Sequence, residues 1–81
     1  MTYFVRNKSQ KTAKIADIQT GRGFDIVVIL DRREGIKYPL KVYKEQYQYM
    51  RGMSRKKINE FGDMVTTLRY IEGIVAGQIT V

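Results

Sequence analysis

The chain of 81 residues has no cysteine, no histidine and no tryptophan, and only one proline. Without cysteine there is no disulfide framework. Without cysteine or histidine, the usual zinc ligands, the thiol nucleophile and the imidazole acid–base group are missing together. Most enzyme mechanisms lose a key part, and neither a metal nor a cofactor is expected, since nothing resembles a Walker loop or a dinucleotide fingerprint. No apolar run approaches the roughly 20 residues that span a bilayer, and the N-terminal MTYFVRNKS has no apolar signal core. An amphipathic basic helix suited to an anionic membrane surface is also lacking. The expectation is a cytoplasmic, non-enzymatic protein that engages no membrane.

Acidic residues are scarce beside basic ones, 8 against 15, which gives a net charge of +7 and a pI near 9.9. Residues 1–57 hold 14 of the basic residues and 5 of the acids; residues 58–81 hold one basic residue and three acids. A cationic part joined to a weakly acidic one points to nucleic acid or another anionic surface, with charge kept for solubility as the plainer reading. The remaining composition, 43% hydrophobic and 28% charged, suits one folded domain over 1–81, without repeats, low-complexity stretches or linkers. A domain this small has a thin stability margin, so self-association is a natural supplement.

FDIVVILD (24–31) is rich in β-branched residues and apolar on both faces, as a central strand should be. IKYPLKVY (36–43) alternates, with Ile36, Tyr38, Leu40 and Val42 on the buried side and Lys37, Lys41 and Tyr43 outward; Pro39 places it at an edge or a bulge. RREG (32–35) and TGRG (20–23) read as hairpin turns, the second leading back to a strand in KTAKIADIQ, where a short helix ending at Gly21 also fits. TYFVRN (2–7) reads as a first strand, and KEQYQYMRG (44–52) as a connector with at most one helical turn. Ser54 then offers an N-cap for the main helix, in which Phe61, Met64, Leu68, Ile71 and Val75 recur at steps of 3, 4, 3 and 4, widened by Ile58 and Val65. Gly62 falls inside that helix, and Gly73 ends it as a left-handed C′ residue, or it runs to Ala76; IVAGQITV is left as a tail or fifth strand. The expected fold is α+β: a small antiparallel sheet of about four strands, with one long C-terminal helix packed on it or pairing in a dimer through Phe61, Met64, Leu68, Ile71 and Val75.

Three groups of residues suggest chemistry. In RGMSRKK (51–57), Arg55, Lys56 and Lys57 would occupy the first helical turn, where each cation opposes the helix dipole at a cost of about 0.3–1 kcal/mol. A bound phosphate would turn that cost into a site, while an exposed basic turn is the bland reading. Arg22 at one hairpin tip, with Arg32 and Arg33 at another, would lie at opposite ends of the sheet, so a ligand touching both must be long and polyanionic. Tyr38, Tyr43, Tyr47 and Tyr49 interleave with Lys37, Lys41, Lys44 and Arg51; cations neutralise phosphates while aromatic faces stack on unpaired bases. Tyr43 is the leading stacking residue and Tyr38 reads as core. A metal-nuclease reading of Asp25, Asp31 and Glu34 with Lys37 fits no nuclease spacing.

Antiparallel strands followed by a helix with an apolar seam resemble the single-stranded-DNA-binding fold of the positive cofactor four and whirly proteins. The resemblance covers residues 13–72, in element order and without a shared residue motif. It implies associated helices and a curved sheet that grips the strand. The expected function is nucleic-acid binding, single strands slightly favoured, through Arg22, Arg32, Arg33, Lys37, Lys41, Tyr43, Arg51, Arg55, Lys56 and Lys57. The alternative is a protein-binding inhibitor or accessory subunit of the viral or mobile-element type, docking on a nucleic-acid enzyme through Tyr47, Tyr49, Met50, Arg51 and Met53.

Overall fold

Residues 11–81 are described by the computed structural model, so the strand expected at 2–7 lies outside the described residues. The element order is β1 (Thr12–Gln19), β2 (Asp25–Asp31), β3 (Leu40–Gln48), β4 (Gly52–Phe61) and helix α1 (Met64–Val75). The strands form one antiparallel sheet in sequence order, and the fold is α+β.

Apolar alternation places β2 at the centre: Ile26 and Val28 are sealed on one face and Val27 on the other. KTAKIADIQ is a strand, with a bulge between Lys14 and Ala16. Pro39 stands just before β3, where its missing N–H removes no ladder bond, and its carbonyl accepts the Asp31 N–H at 2.7 Å. The β2–β3 connection therefore runs over residues 32–39 rather than RREG alone. Tyr38, expected in the core, lies outside the strand and is 41% exposed.

The larger correction concerns residues 44–61. The expected connector continues β3 through Gln48, Tyr49–Arg51 form a turn, and the expected helix start is β4. Ser54 caps no helix, and Arg55, Lys56 and Lys57 lie in mid-strand. The dipole penalty explains the choice. A helix would line up three cations against its positive end, whereas β4 sets Arg55 opposite Glu45 and Glu60 opposite Lys41. The helix begins after Gly62 instead, with the extended Asp63 as N-cap; its carboxylate accepts the Thr66 N–H at 2.8 Å.

At the other end of α1, Gly77 rather than Gly73 is the left-handed residue, with φ +80°. The Gly77 N–H donates to the Ile74 carbonyl at 3.0 Å, and the Gln78 N–H to the Gly73 carbonyl at 2.8 Å, a Schellman closure. Residues 76–81 fold back without forming a fifth strand.

Helix α1 lies over β3 and β4. Ile71 and Ile74 meet Ile26, Val28, Leu40 and Val42 in the core, and the Phe61 and Tyr70 rings stand 5.2 Å apart. The stripe read as one seam divides: Phe61 ends β4 and Ile71 is buried, but Met64, Leu68 and Val75 are 40–46% exposed. Among the described residues no helix is long and apolar enough to cross a membrane.

Candidate nucleic-acid interface

The sheet has one face under α1 and one open face. Register and alternation place Lys14, Lys41, Arg55 and Lys57 on the open face with Asp17, Asp25, Asp31, Glu45 and Glu60. Four cations against five carboxylates leave no surplus, and most are paired. Arg55 Nε donates to Glu45 at 2.7 Å; Lys41 and Lys57 both donate to Glu60 Oε1 at 2.9 Å; Lys14 donates to Asp17 at 2.8 Å. Arg33 reaches in from the β2–β3 connection and holds Asp31 through Nη2 at 2.6 Å and Nε at 3.0 Å. These contacts hold the Asp31 carboxyl down at about 2, and the lysines lower Glu60. Tyr43, expected to stack on bases, has the Arg55 guanidinium 5.7 Å from its ring centroid.

The other expected contact residues fall in separate places. Arg22 sits on the β1–β2 turn with its guanidinium folded against Gly77; a Cβ added at Gly77 would come within 2.5 Å of it. Arg32 lies at the far end of the sheet, as expected; Lys37, expected on the outward strand face beside Lys41, lies instead in the connection before β3, with Nζ 5.3 Å from the Tyr38 ring centroid. Lys56 projects on the α1 side opposite Lys44, and Arg51 stands at the β3–β4 turn. The carboxylates considered for a metal do not converge either: among the described residues no three acidic side chains could hold an ion.

What the structure does bring together is a ribbon. The β2–β3 ladder ends at Asp25 opposite Glu45, yet β3 and β4 stay paired through Gln46–Ser54, Tyr47–Met53 and Gln48–Gly52. Three further pairs carry the ribbon about 10 Å past β2. At its end the Arg51 N–H donates to the Gln48 carbonyl at 3.0 Å, and Met50 adopts φ +67°. A left-handed backbone costs a non-glycine residue about 1–2 kcal/mol, and here it displays a methionine. Tyr49 and Met50 are 85% and 87% exposed; Tyr47 and Met53 are also exposed. Residues 44–57 hold five basic residues and one acid, a net +4, beside +5 for residues 1–43 and −2 for residues 58–81.

No family model, curated protein or solved structure matches this chain. The resemblance in element order therefore gains no support from them.

The ribbon's residues stand out in the sequence, but their arrangement does not. Tyr47, Met53, Arg55 and Lys57 share one face, a two-residue period that runs across Gly52. Gly52, at φ +80°, is the turn signal between the halves.

Proposed function

We propose that the chain is a small, non-enzymatic nucleic-acid-binding protein whose contact surface is the β3–β4 ribbon, with Arg51, Arg55, Lys56 and Lys57 facing phosphates and the exposed tyrosines available to bases. One observation carries the reading: with Arg55 held by Glu45 and Lys57 by Glu60, Arg51 and Lys56 are left on this ribbon with no ion pair among the described residues, beside exposed tyrosines. Arg32 and Lys37, at the opposite end, could join only along an extended polyanion. An anisotropy titration with labelled oligonucleotides tests it. Affinity should fall steeply with salt, the slope counting the phosphates neutralised; weak or salt-insensitive binding would refute the proposal.

A second reading, docking on a protein partner, is favoured by the exposed Tyr and Met side chains at the ribbon tip, residue types enriched at protein interfaces. A partner retained after nuclease treatment of a lysate supports it over the first. In either case the exposed ridge of Met64, Leu68 and Val75 suits pairing of two copies through α1.

A further inference from the structure

The ribbon runs on past the end of the β2–β3 ladder, and that restricts its ligand. Single strands are held in grooves or on platforms where successive bases stack side by side. Two strands about 4.8 Å apart offer no such platform, and Tyr43, on the broader sheet, already lies beside Arg55. A projecting ribbon needs a ligand that itself has a groove.

Among nucleic acids the dimensions select one groove. The major groove of B-form DNA, about 12 Å wide and 8.5 Å deep, admits a two-stranded ribbon, whereas its minor groove is only about 6 Å wide. The major groove of A-form RNA is too deep and narrow for side chains to read. The ribbon's reach of about 10 Å past β2 matches the depth of the DNA major groove. Its charges are placed accordingly: Arg51 at the turn, Lys56 and Arg55 on opposite faces of the stem, and Glu45 alone among acids, at the base. Its leading side chain is apolar, because Met50 is held outward in a strained left-handed turn. The major groove has an apolar counterpart in the thymine methyl group.

Resting on the nucleic-acid reading above, we infer that the β3–β4 ribbon enters the major groove of duplex DNA, with Met50 against thymine methyls and Arg51 and Lys56 on the flanking phosphates. The ligand class is thus B-form duplex DNA rather than single strands or duplex RNA.

The test presents one mixed sequence to the full chain in four forms: duplex DNA, single-stranded DNA, duplex RNA, and duplex DNA with every thymine replaced by uracil. Duplex DNA should bind tightest, and removal of the methyl should lower affinity about fourfold for each one contacted, the worth of one buried methylene-sized group. Met50→Gly fits the positive φ and so keeps the turn. It should lose a similar factor on the thymine duplex, lose nothing further on the uracil duplex, and melt no lower than the parent. Equal or tighter binding to single strands or duplex RNA, or indifference to the methyl, overturns the groove assignment and leaves the nucleic-acid reading standing. Absence of salt-sensitive binding to all four forms overturns both.

Discussion

Asp31 accepts four hydrogen bonds from Arg33: from its backbone N–H at 3.1 Å, from Nε at 3.0 and 3.2 Å and from Nη2 at 2.6 Å. The guanidinium first, and the backbone N–H second, lower its carboxyl from 3.8 to about 2. The folded chain therefore binds this proton less tightly than the unfolded chain. The resulting stabilisation is complete above the ordinary carboxylate range and disappears as pH falls from about 4 to about 2. Glu60, lowered by Lys41 and Lys57, and Asp63, lowered by the Thr66 N–H, act in the same direction. Melting curves at descending pH should show Tm falling through that window, with a shallower fall in Asp31→Asn; equal slopes would refute the Arg33 contact. Residues of the same charge should also behave differently on reversal. Arg55→Glu sets a carboxylate beside Glu45, in the row that also contains Asp25, and should cost about 1 kcal/mol in urea unfolding. Lys56→Glu faces Lys44 across the ladder, so it should be neutral or slightly stabilising. Both should weaken nucleic-acid binding, and equal destabilisation by the two would remove pairing as the distinction.

At the scale of elements, Gly73 shows how packing overrides propensity. Helix propensity alone favours alanine there by about 1 kcal/mol. Yet a Cβ at Gly73 would lie 2.5 Å from Ile79 Cδ1 and 2.9 Å from its Cγ1, where the returning tail crosses the helix. Gly73→Ala should therefore destabilise by about 1–3 kcal/mol in thermal unfolding, with recovery when Ile79 is also cut to alanine; a stabilised single variant would mean that the tail does not pack as described. The same contrast explains what could be read in advance. β2 and the turn before it are legible because a β-branched run, apolar on both faces, follows two glycines, whereas the Ile15 and Ile18 spacing in β1 also fits a short helix. β4 is not legible, because its bulge sets Ile58 and Phe61 three residues apart on the α1 side, and that spacing continues into the true helix periodicity from Met64. Ser54 then supplied a false cap. The pair that decided the boundary, Gly62 followed by Asp63, was in view, but its meaning depends on the cations upstream having carboxylate partners across the sheet. Those partners are long-range contacts that local pattern does not disclose. For the same reason the basic residues can be named from sequence, but their neutralisation on the open face cannot.

The described residues form a thin slab, 43 × 34 × 15 Å, one sheet deep with α1 on it. Such a shape leaves much of its apolar surface near water, and α1 shows the consequence: it buries Thr67, Ile71 and Ile74 but leaves Met64, Val65, Leu68 and Val75 exposed along an adjoining ridge. A second copy covering that ridge would bury it. Two chains of net charge +7 repel one another, and salt screens that repulsion. Self-association driven by the apolar ridge should therefore strengthen as salt is raised, whereas nucleic-acid binding should weaken over the same range. Sedimentation equilibrium across a salt series separates the two effects. Leu68→Glu should yield a monomer at every salt concentration and a Tm that no longer depends on protein concentration. A parent chain already monomeric throughout the series, with its Tm unmoved by concentration, would exclude pairing through α1 while leaving the ribbon's binding to be judged on its own titration.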